Sequence, residues 1–503
     1  MTVTIRDRRD FSLDNVCRVA IGGEKVRFAP AAMGRMTKAY EAFQTYVDTH
    51  RDRFIYGVTS GGGPTAKVHK SPEEMRRLHA RGNPFTGLSF ARRDLPPEVV
   101  RASVFAMLAM YAEGTNAVEP GRAKAVAKLL DGDLPRIPEQ GLVVPGEILA
   151  RFFLVDLLPP RARKGFEIGG ANGSPFTNGM GALAAVYAGR RLALAERVFA
   201  LSVEAFNAPL EAYDPALKAL WGDPYEGQAL DALGRLLKGA RTKDRRFYQA
   251  PVSWRILPRV LGQAHRAQAQ LADTAAISMR VIASNPTYVP PAMADRKRDP
   301  HGKTMSTGSY HNAILPPAMD AMAASWVDLA ELARRHAIKL HRGDISQLPD
   351  LLIPEGQNVG SPETTAYLEW VPFGFVEEMR RLAEQPAGLL SPVEPAASEQ
   401  DDISAPGEFS WLMERRVAHL FDHVLVVTAV SASQALHLMK RRPAPPLRRF
   451  LDEIREIFPP AGPRALAPDA TRLTEGFTEA VEGAAGFGLP SLGRRPAAAR
   501  RAA

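Results

Sequence analysis

Three polar residues stand in stretches whose make-up suits a site. Tyr56 lies in FIYGVTSGGGPTAKV (54–68), where a short apolar run ends in a glycine cluster. Asn172 lies in FEIGGANGSPFTNGMG (166–181), a glycine-rich stretch that feeds a long helical pattern. Arg255 lies in QAPVSWRILPRVLG (249–262). A phenol loses its proton only near pH 10, so a proton-transfer role for Tyr56 needs help from loop N–H groups or a cation. The other reading of Tyr56 is a buried, hydrogen-bonded tyrosine. A glycine-rich turn lets backbone come close to a ligand and aims unpaired N–H groups at one point. Asn172 in such a turn orients a substrate carbonyl or amine, or else caps the following helix. Arg255 suits a bidentate pair with a carboxylate, or an ion pair inside the protein. His79 ends a short polar helix (PEEMRRLHARG) and reads as structural more than catalytic. His419 and His423 are spaced i, i+4, but a metal centre needs a third ligand and an open position, so no metal is expected. No Walker loop, no GxSxG and no cysteine nucleophile appears.

Composition narrows the classes. Of 503 residues, 45% are hydrophobic and 24% charged, as in soluble globular proteins. Net charge is +9, from 64 basic and 55 acidic residues, and part of the excess sits in the C-terminal Arg494, Arg495, Arg500 and Arg501. Zinc-finger spacing, an RNP-type aromatic motif and a long Lys/Arg block in the body are all missing, so no nucleic-acid partner is expected. The single cysteine, Cys17, rules out disulfides within the chain and fits a reducing compartment. The charged N-terminus lacks an apolar signal core, and no uncharged apolar run nears membrane-spanning length. The expectation is a cytoplasmic protein with no membrane partner.

Those residues must be held by elements that the periodicity outlines. Val3 to Ile5, Cys17 to Ile21 and Val26 to Phe28 read as short strands. Helical spacing runs over Ala31–His50, Pro72–Gly82, Pro96–Gly114 and Arg122–Leu130, and IPEQGLVVPGEILA (137–150) reads as a loop opening into a helix. Longer helical patterns cover Ala182–Phe206, Ser253–Ser284, Ala313–Leu340, Glu363–Glu384 and Glu408–Met439, and their length and Ala-rich faces predict a helix bundle. The organisation expected is a loop-rich N-terminal region carrying site loops (1–181), a long-helix bundle (182–458) interrupted by two site loops (285–312 and 386–406), and a disordered basic tail (459–503). The fold class is mainly α, with a mixed N-terminal region.

In this order, the stretches resemble the aromatic amino acid ammonia-lyase family, which includes histidine, phenylalanine and tyrosine ammonia-lyases and the related aminomutases. IYGVTSGGGP looks like the family's YGVNTGFG loop, which puts its catalytic base on Tyr56. LHARG is similar to SHAxG and implies a substrate-side histidine at His79. IGGANGS resembles LINGT, whose asparagine falls on Asn172. QAPVSWRILPRVLG resembles QDxYSLRCQPQVLG, placing an active-site glutamine on Gln249 and the carboxylate-binding arginine on Arg255. STGSYHN looks like SGGNFHG and puts Tyr310 in the pocket. EQDDIS resembles QEDHVS, whose glutamate falls on Gln400 or a neighbour. The resemblance implies an ammonia-lyase-like helix bundle and a homotetramer with shared active sites.

The family builds its electrophile by cyclising Ala-Ser-Gly into a methylidene-imidazolone ring. Here an ungapped match puts Pro145, Gly146 and Glu147 in that place. With no serine hydroxyl to dehydrate, and with Pro145 restricting the backbone, the electrophile is expected to be absent and no cofactor is expected. The Thr59-Ser60-Gly61 triplet lies in the Tyr56 loop, away from the expected context. The family's second tyrosine falls on Val252, and a basic residue on Glu113. The reading is an enzyme acting on an amino acid or related carboxylate by elimination, cyclisation or condensation in specialised metabolism. The alternatives are a catalytically silent binding or assembly protein and an ordinary histidine or aromatic amino acid ammonia-lyase.

Overall fold

A computed structural model describes residues 1–62, 65–80, 87–155, 157, 172–246, 248–358, 365–384, 386–390, 392–396, 401–460 and 464–484. Helix dominates. The helices of eight residues or more are, in chain order, α1 (Pro30–Thr49), α2 (Pro72–Ala80), α3 (Pro97–Ala112), α4 (Pro120–Leu129), α5 (Ile148–Val155), α6 (Pro175–Ala205), α7 (Pro224–Leu236), α8 (Leu257–Ser278), α9 (Leu315–His341), α10 (Val371–Ala383), α11 (Gly407–Leu438), α12 (Arg448–Ile457) and α13 (Leu466–Glu482). Six short strands form three pairs: β1 (Thr2–Ile5) parallel to β2 (Lys25–Phe28), β3 (Thr287–Val289) antiparallel to β4 (Lys303–Met305), and β5 (Pro392–Ala396) antiparallel to β6 (Asp401–Ile403). The mainly helical class expected from the sequence is what the chain adopts.

Several boundaries differ from the sequence reading, each for a local reason. Cys17–Ile21 is helical, not a strand, because Ser12 caps Leu13–Val16 by accepting from Asn15 N and the turn runs straight on. Helix α6 starts at Pro175, seven residues before the apolar pattern, because proline suits a first turn whose N–H has no partner anyway. The pattern over Ser253–Ser284 divides into Val252–Arg255 and α8, and that over Glu363–Glu384 forms a 3-10 turn at Leu368–Trp370 and then α10 from Val371. Helix α7 escaped the periodicity reading. Its signal was Asp223 followed by Pro224, and Asp223 Oδ1 accepts from Tyr225 N and Glu226 N. The region read as a disordered tail carries α13, which buries Leu473, Phe477 and Val481 along one face.

Contacts divide the chain into two compact units. The first takes 1–186, 271–319 and 386–412. Its core is α3, buried on nearly every side from Val99 to Ala112, with Phe105 packed on Phe11 at 5.0 Å between ring centres. A second cluster joins Phe43, Tyr46 and Val47 of α1 to Ile55, Val58 and Tyr288, so the Tyr56 loop is fixed by its buried neighbours on both sides. The second unit takes 187–270, 320–385 and 413–503. Buried Arg191 forms a two-pronged pair with buried Asp422, at 2.8 and 3.0 Å. Nearby in that unit, Trp326 Nε1 donates to Glu414 at 2.9 Å. His336 stacks on Trp254 at 3.9 Å, and burial pushes its imidazole down to about 3, so it is a neutral core residue. Among the described residues, no helix is long and apolar enough to cross a membrane.

Candidate active site

The first unit gathers Asn172 and the 145–147 turn into one place. Val144 is extended, and Pro145 opens a tight turn in which Gly146 takes φ 68°. Glu147 follows at φ 52°, an uncommon conformation for a residue with a side chain. The Gly146 carbonyl accepts from Gly173 N at 3.1 Å, which ties the turn to the glycine-rich stretch. A Cβ on Gly146 would lie 3.0 Å from Asn172 Oδ1 and 3.1 Å from Asn172 Cβ. The backbone angle and the missing side chain are both required here. Asn172 Nδ2 donates to Asn285 O at 3.3 Å, and Asn285 Oδ1 accepts from Thr307 N at 3.0 Å. This chain of bonds leaves Asn172 Oδ1 as the amide's remaining acceptor.

Glu147 closes the N-terminus of α6. Its Oε2 accepts from Phe176 N at 2.7 Å, and its Oε1 accepts from Thr177 N at 2.9 Å and from the Thr177 hydroxyl. A carboxylate at this end satisfies unpaired N–H groups and matches the helix dipole. Burial still pushes its carboxyl up to about 6, against the pull of those bonds and of Arg151. A second acid approaches from α11. Gly407 packs so tightly on Thr177 that any side chain there would collide with it. The next residue, Glu408, accepts from Leu142 N at 2.9 Å through Oε2. Its Oε1 is buried with no hydrogen-bond partner. Burial, then the charges of Glu147 and Glu139, push the Glu408 carboxyl up to about 7, opposed by the Leu142 bond. Glu147 and Glu408 line a cavity of about 10 Å³ with Leu142, Ala150, Phe176, Thr177, Met180 and Ala405. That is room for about one water molecule.

Tyr56 and Tyr310 belong to the same unit, and both are half-buried. The Tyr56 hydroxyl lies 3.5 Å from where a Cβ on Gly62 would stand, so its tip lies along the glycine cluster. Burial raises the Tyr310 phenol, and the charges of Asp401, Asp402 and Tyr56 add to that, which places these four groups in one electrostatic neighbourhood. Asp401 on β6 is itself raised by burial and by Asp402. Gln400 lies outside the described residues, and so does the side chain of His79 on α2. Thr59 is buried, accepting from Ile55 N at 2.8 Å and donating to Arg53 O, and the buried Ser60 hydroxyl bonds to Gly61 O at 3.1 Å. Both hydroxyls therefore serve the turn that holds Tyr56.

Gln249 and Arg255 belong to the second unit. Both are exposed, and Arg255 uses Nε on Ala250 O at 3.0 Å. Its terminal guanidinium nitrogens have no partner among the described residues. Val252, where the family's second tyrosine would fall, is 56% exposed. His419 Nε2 meets Glu482 at 2.6 Å, and His423 Nδ1 bonds to His419 O. Among the described residues, no group of three or more potential ligands could hold a metal ion. Glu113 pairs with Arg35 at 3.5 Å and accepts from Arg8 N.

Sequence reasoning missed Glu147 as a helix cap, Glu408, and Arg151. The last had a signal: a lone arginine in the apolar run ILARFFLV. A methylidene-imidazolone group needs a serine hydroxyl at its centre. Residues 145–147 carry none, and Asn172 fills the space that a side chain on Gly146 would take. These residues do not fit that group.

The sequence model of the aromatic amino acid lyase family matches residues 11–149 and 164–456. The chain is 26% identical to the histidine ammonia-lyase of Symbiobacterium thermophilum, over 92% of this chain and 94% of that protein. It is 22% identical to the histidine ammonia-lyase of Caldanaerobacter subterraneus, over 88% and 89%. Among solved structures, it is similar in fold to the ergothioneine-degrading enzyme ergothionase from Treponema denticola, with TM-score 0.81, 16% identity and coverage of 96% and 99%. It is similar also to histidine ammonia-lyase from Trypanosoma cruzi, with TM-score 0.78, 20% identity and coverage of 96% and 94%.

Proposed function

We propose, from the premise that this chain belongs to the aromatic amino acid lyase family, that it acts on an amino acid or related carboxylate without a methylidene-imidazolone group. The reaction is an elimination, cyclisation or condensation, carried out by a cytoplasmic homotetramer with shared sites. The observation that carries this reading is Gly146 at φ 68° with Asn172 seated against it, where the family places its serine. The resemblance gives several of the family's other polar groups counterparts in this chain. Tyr56 moves the proton. Asp401, the neighbour of Gln400, is the carboxyl that returns the proton, since burial favours its protonated form. Asn172 orients the ligand's amine through Oδ1, and Arg255, the counterpart of the family's carboxylate-binding arginine, serves the carboxylate in the shared sites of the homotetramer.

Intact-mass measurement of the purified chain tests the central claim. Cyclisation would remove water, so the full unmodified mass is expected, and a water-deficient mass would overturn the reading. Incubation with L-histidine, L-phenylalanine and L-tyrosine, following ammonia and arylacrylate absorbance, is expected to give no product. A second reading is an ordinary histidine ammonia-lyase, favoured by relatives of that name over nearly the whole chain. Urocanate formed from L-histidine would establish it.

A further inference from the structure

Arg151 is a cation in the wrong surroundings for a structural role. It lies on α5, one turn after Glu147, and is 1% exposed. Among the described residues, none of its three side-chain nitrogens meets a carboxylate or carbonyl oxygen in a hydrogen bond of normal geometry. A guanidinium carries five donors and no acceptor, and a buried unpaired charge is strongly unfavourable. Two titratable groups favour its charged form, Tyr111 by charge and by hydrogen bonding and Glu147 by charge, yet burial outweighs both and lowers its pKa. Glu147 does not pair with it, because both its oxygens are held by Phe176 and Thr177. By contrast, the other fully buried arginine of comparable size, Arg191, is held by two bonds to Asp422. Arg151 also stands at the site. A Cβ on Gly173 would lie 2.9 Å from Arg151 Nη1 and 2.6 Å from Ala283 O, so the guanidinium lies directly beside the residue that follows Asn172.

We propose that Arg151 is an anion-binding position that takes a carboxylate oxygen of the ligand, next to the Asn172 amide. This rests on the reading of the site as one that receives an amino acid or related carboxylate. The ligand supplies a directly bonded carboxylate, which the described residues do not. The lack of a side chain at Gly173 is what lets the guanidinium approach that residue. Such a cation, desolvated before the ligand arrives, interacts with a carboxylate far more strongly than one in water. It also lies beside the turn where the family's electrophile would be, so it polarises the ligand from that side.

The test uses the full-length protein and acetate as the probe. Melting temperature is followed against sodium acetate for the wild type, Arg151→Met, Arg151→Lys and Arg255→Gln. Acetate is expected to raise the wild-type melting temperature by several degrees and to leave Arg151→Met unmoved. In the absence of anion, Arg151→Met is expected to melt above the wild type, since an apolar side chain replaces an unpaired charge. Arg151→Lys keeps part of the response. An acetate response equal in the wild type and Arg151→Met would overturn the proposal. If that response vanishes only in Arg255→Gln, this inference fails while the carboxylate-binding reading stands. If no variant alters it, both fail. Should Arg151→Met not fold, wild-type crystals soaked in bromide decide the matter: an anomalous peak within hydrogen-bonding distance of the Arg151 nitrogens supports the site, and its absence overturns it.

Discussion

Replacing Glu408 by glutamine isolates the charge of the second buried acid. Its carboxyl is raised from 4.5 to about 7 in the folded protein, chiefly by burial. The sign follows from proton counting. Between pH 4.5 and 7 the folded state holds a proton that the unfolded state has lost, so stability falls as pH rises through that window. The difference corresponds to about 3 kcal/mol at 1.36 kcal/mol per pKa unit, fully expressed above pH 7 and absent below about pH 4.5. Glutamine keeps the acceptor for Leu142 N and sets its amide where the unpartnered Oε1 stands, beside the small cavity that Glu408 lines with Glu147. Glu408→Gln is therefore expected to be more stable than the parent by about 3 kcal/mol at pH 8 and nearly equal to it at pH 4.5. Thermal melts of both proteins across pH 4.5 to 8.5 read this directly. The curves should converge at the acid end and separate as pH rises. A variant that melts below the parent by the same margin at every pH would refute the reasoning, because the charge would then be a stabilising one.

Three further substitutions probe the rest of the site and its support. Gly146→Ala must hold φ near 68° and press a methyl group on Asn172, so a loss of about 1–2 kcal/mol in thermal or denaturant unfolding is expected, together with weaker ligand binding by titration calorimetry. Asp401→Asn should lower turnover about 100-fold on the true substrate. It should also flatten the fall in rate above the raised Asp401 pKa, since that fall records loss of the acid's proton. Asp422→Asn leaves buried Arg191 with Glu482 at 3.5 Å as its nearest carboxylate, and a loss of about 3 kcal/mol is expected in unfolding experiments. A Tyr56→Phe protein as active as the parent would remove that phenol from the chemistry.

How much of this was legible in the sequence depended on the kind of signal. The long helices were, because apolar spacing is sustained in α6, α9 and α11. The start of α6 was hidden, because Pro175, Asn178 and Gly179 look like turn residues. Gly179 in fact lets the helix approach the backbone of α3, where a Cβ would lie 2.7 Å from Ser103 N. Asn172 and the 145–147 turn were placed together by family order, and the structure brings them into contact. What no spacing rule supplies is the partner of a side chain across many residues. Glu147 and Thr177 are 30 apart in sequence, and Leu142 and Glu408 are 266 apart. The arginine in ILARFFLV was readable as a polar residue in an apolar helix, but its lack of a partner emerges only once its neighbours are known. Asp401 was one position from the residue chosen, and its burial is a property of the folded β6.

The bond between Glu147 and the first turn of α6 bears on how reversible this sequence is. Writing Ala-Ser-Gly over residues 145–147 is three codons on paper. In the protein it would strip the cap from Phe176 N, Thr177 N and the Thr177 hydroxyl inside a buried pocket, and would push a serine side chain onto Asn172. Each uncovered donor costs about 1–3 kcal/mol. A designer placing Ala-Ser-Gly here would therefore have to rebuild the head of α6 before touching the turn.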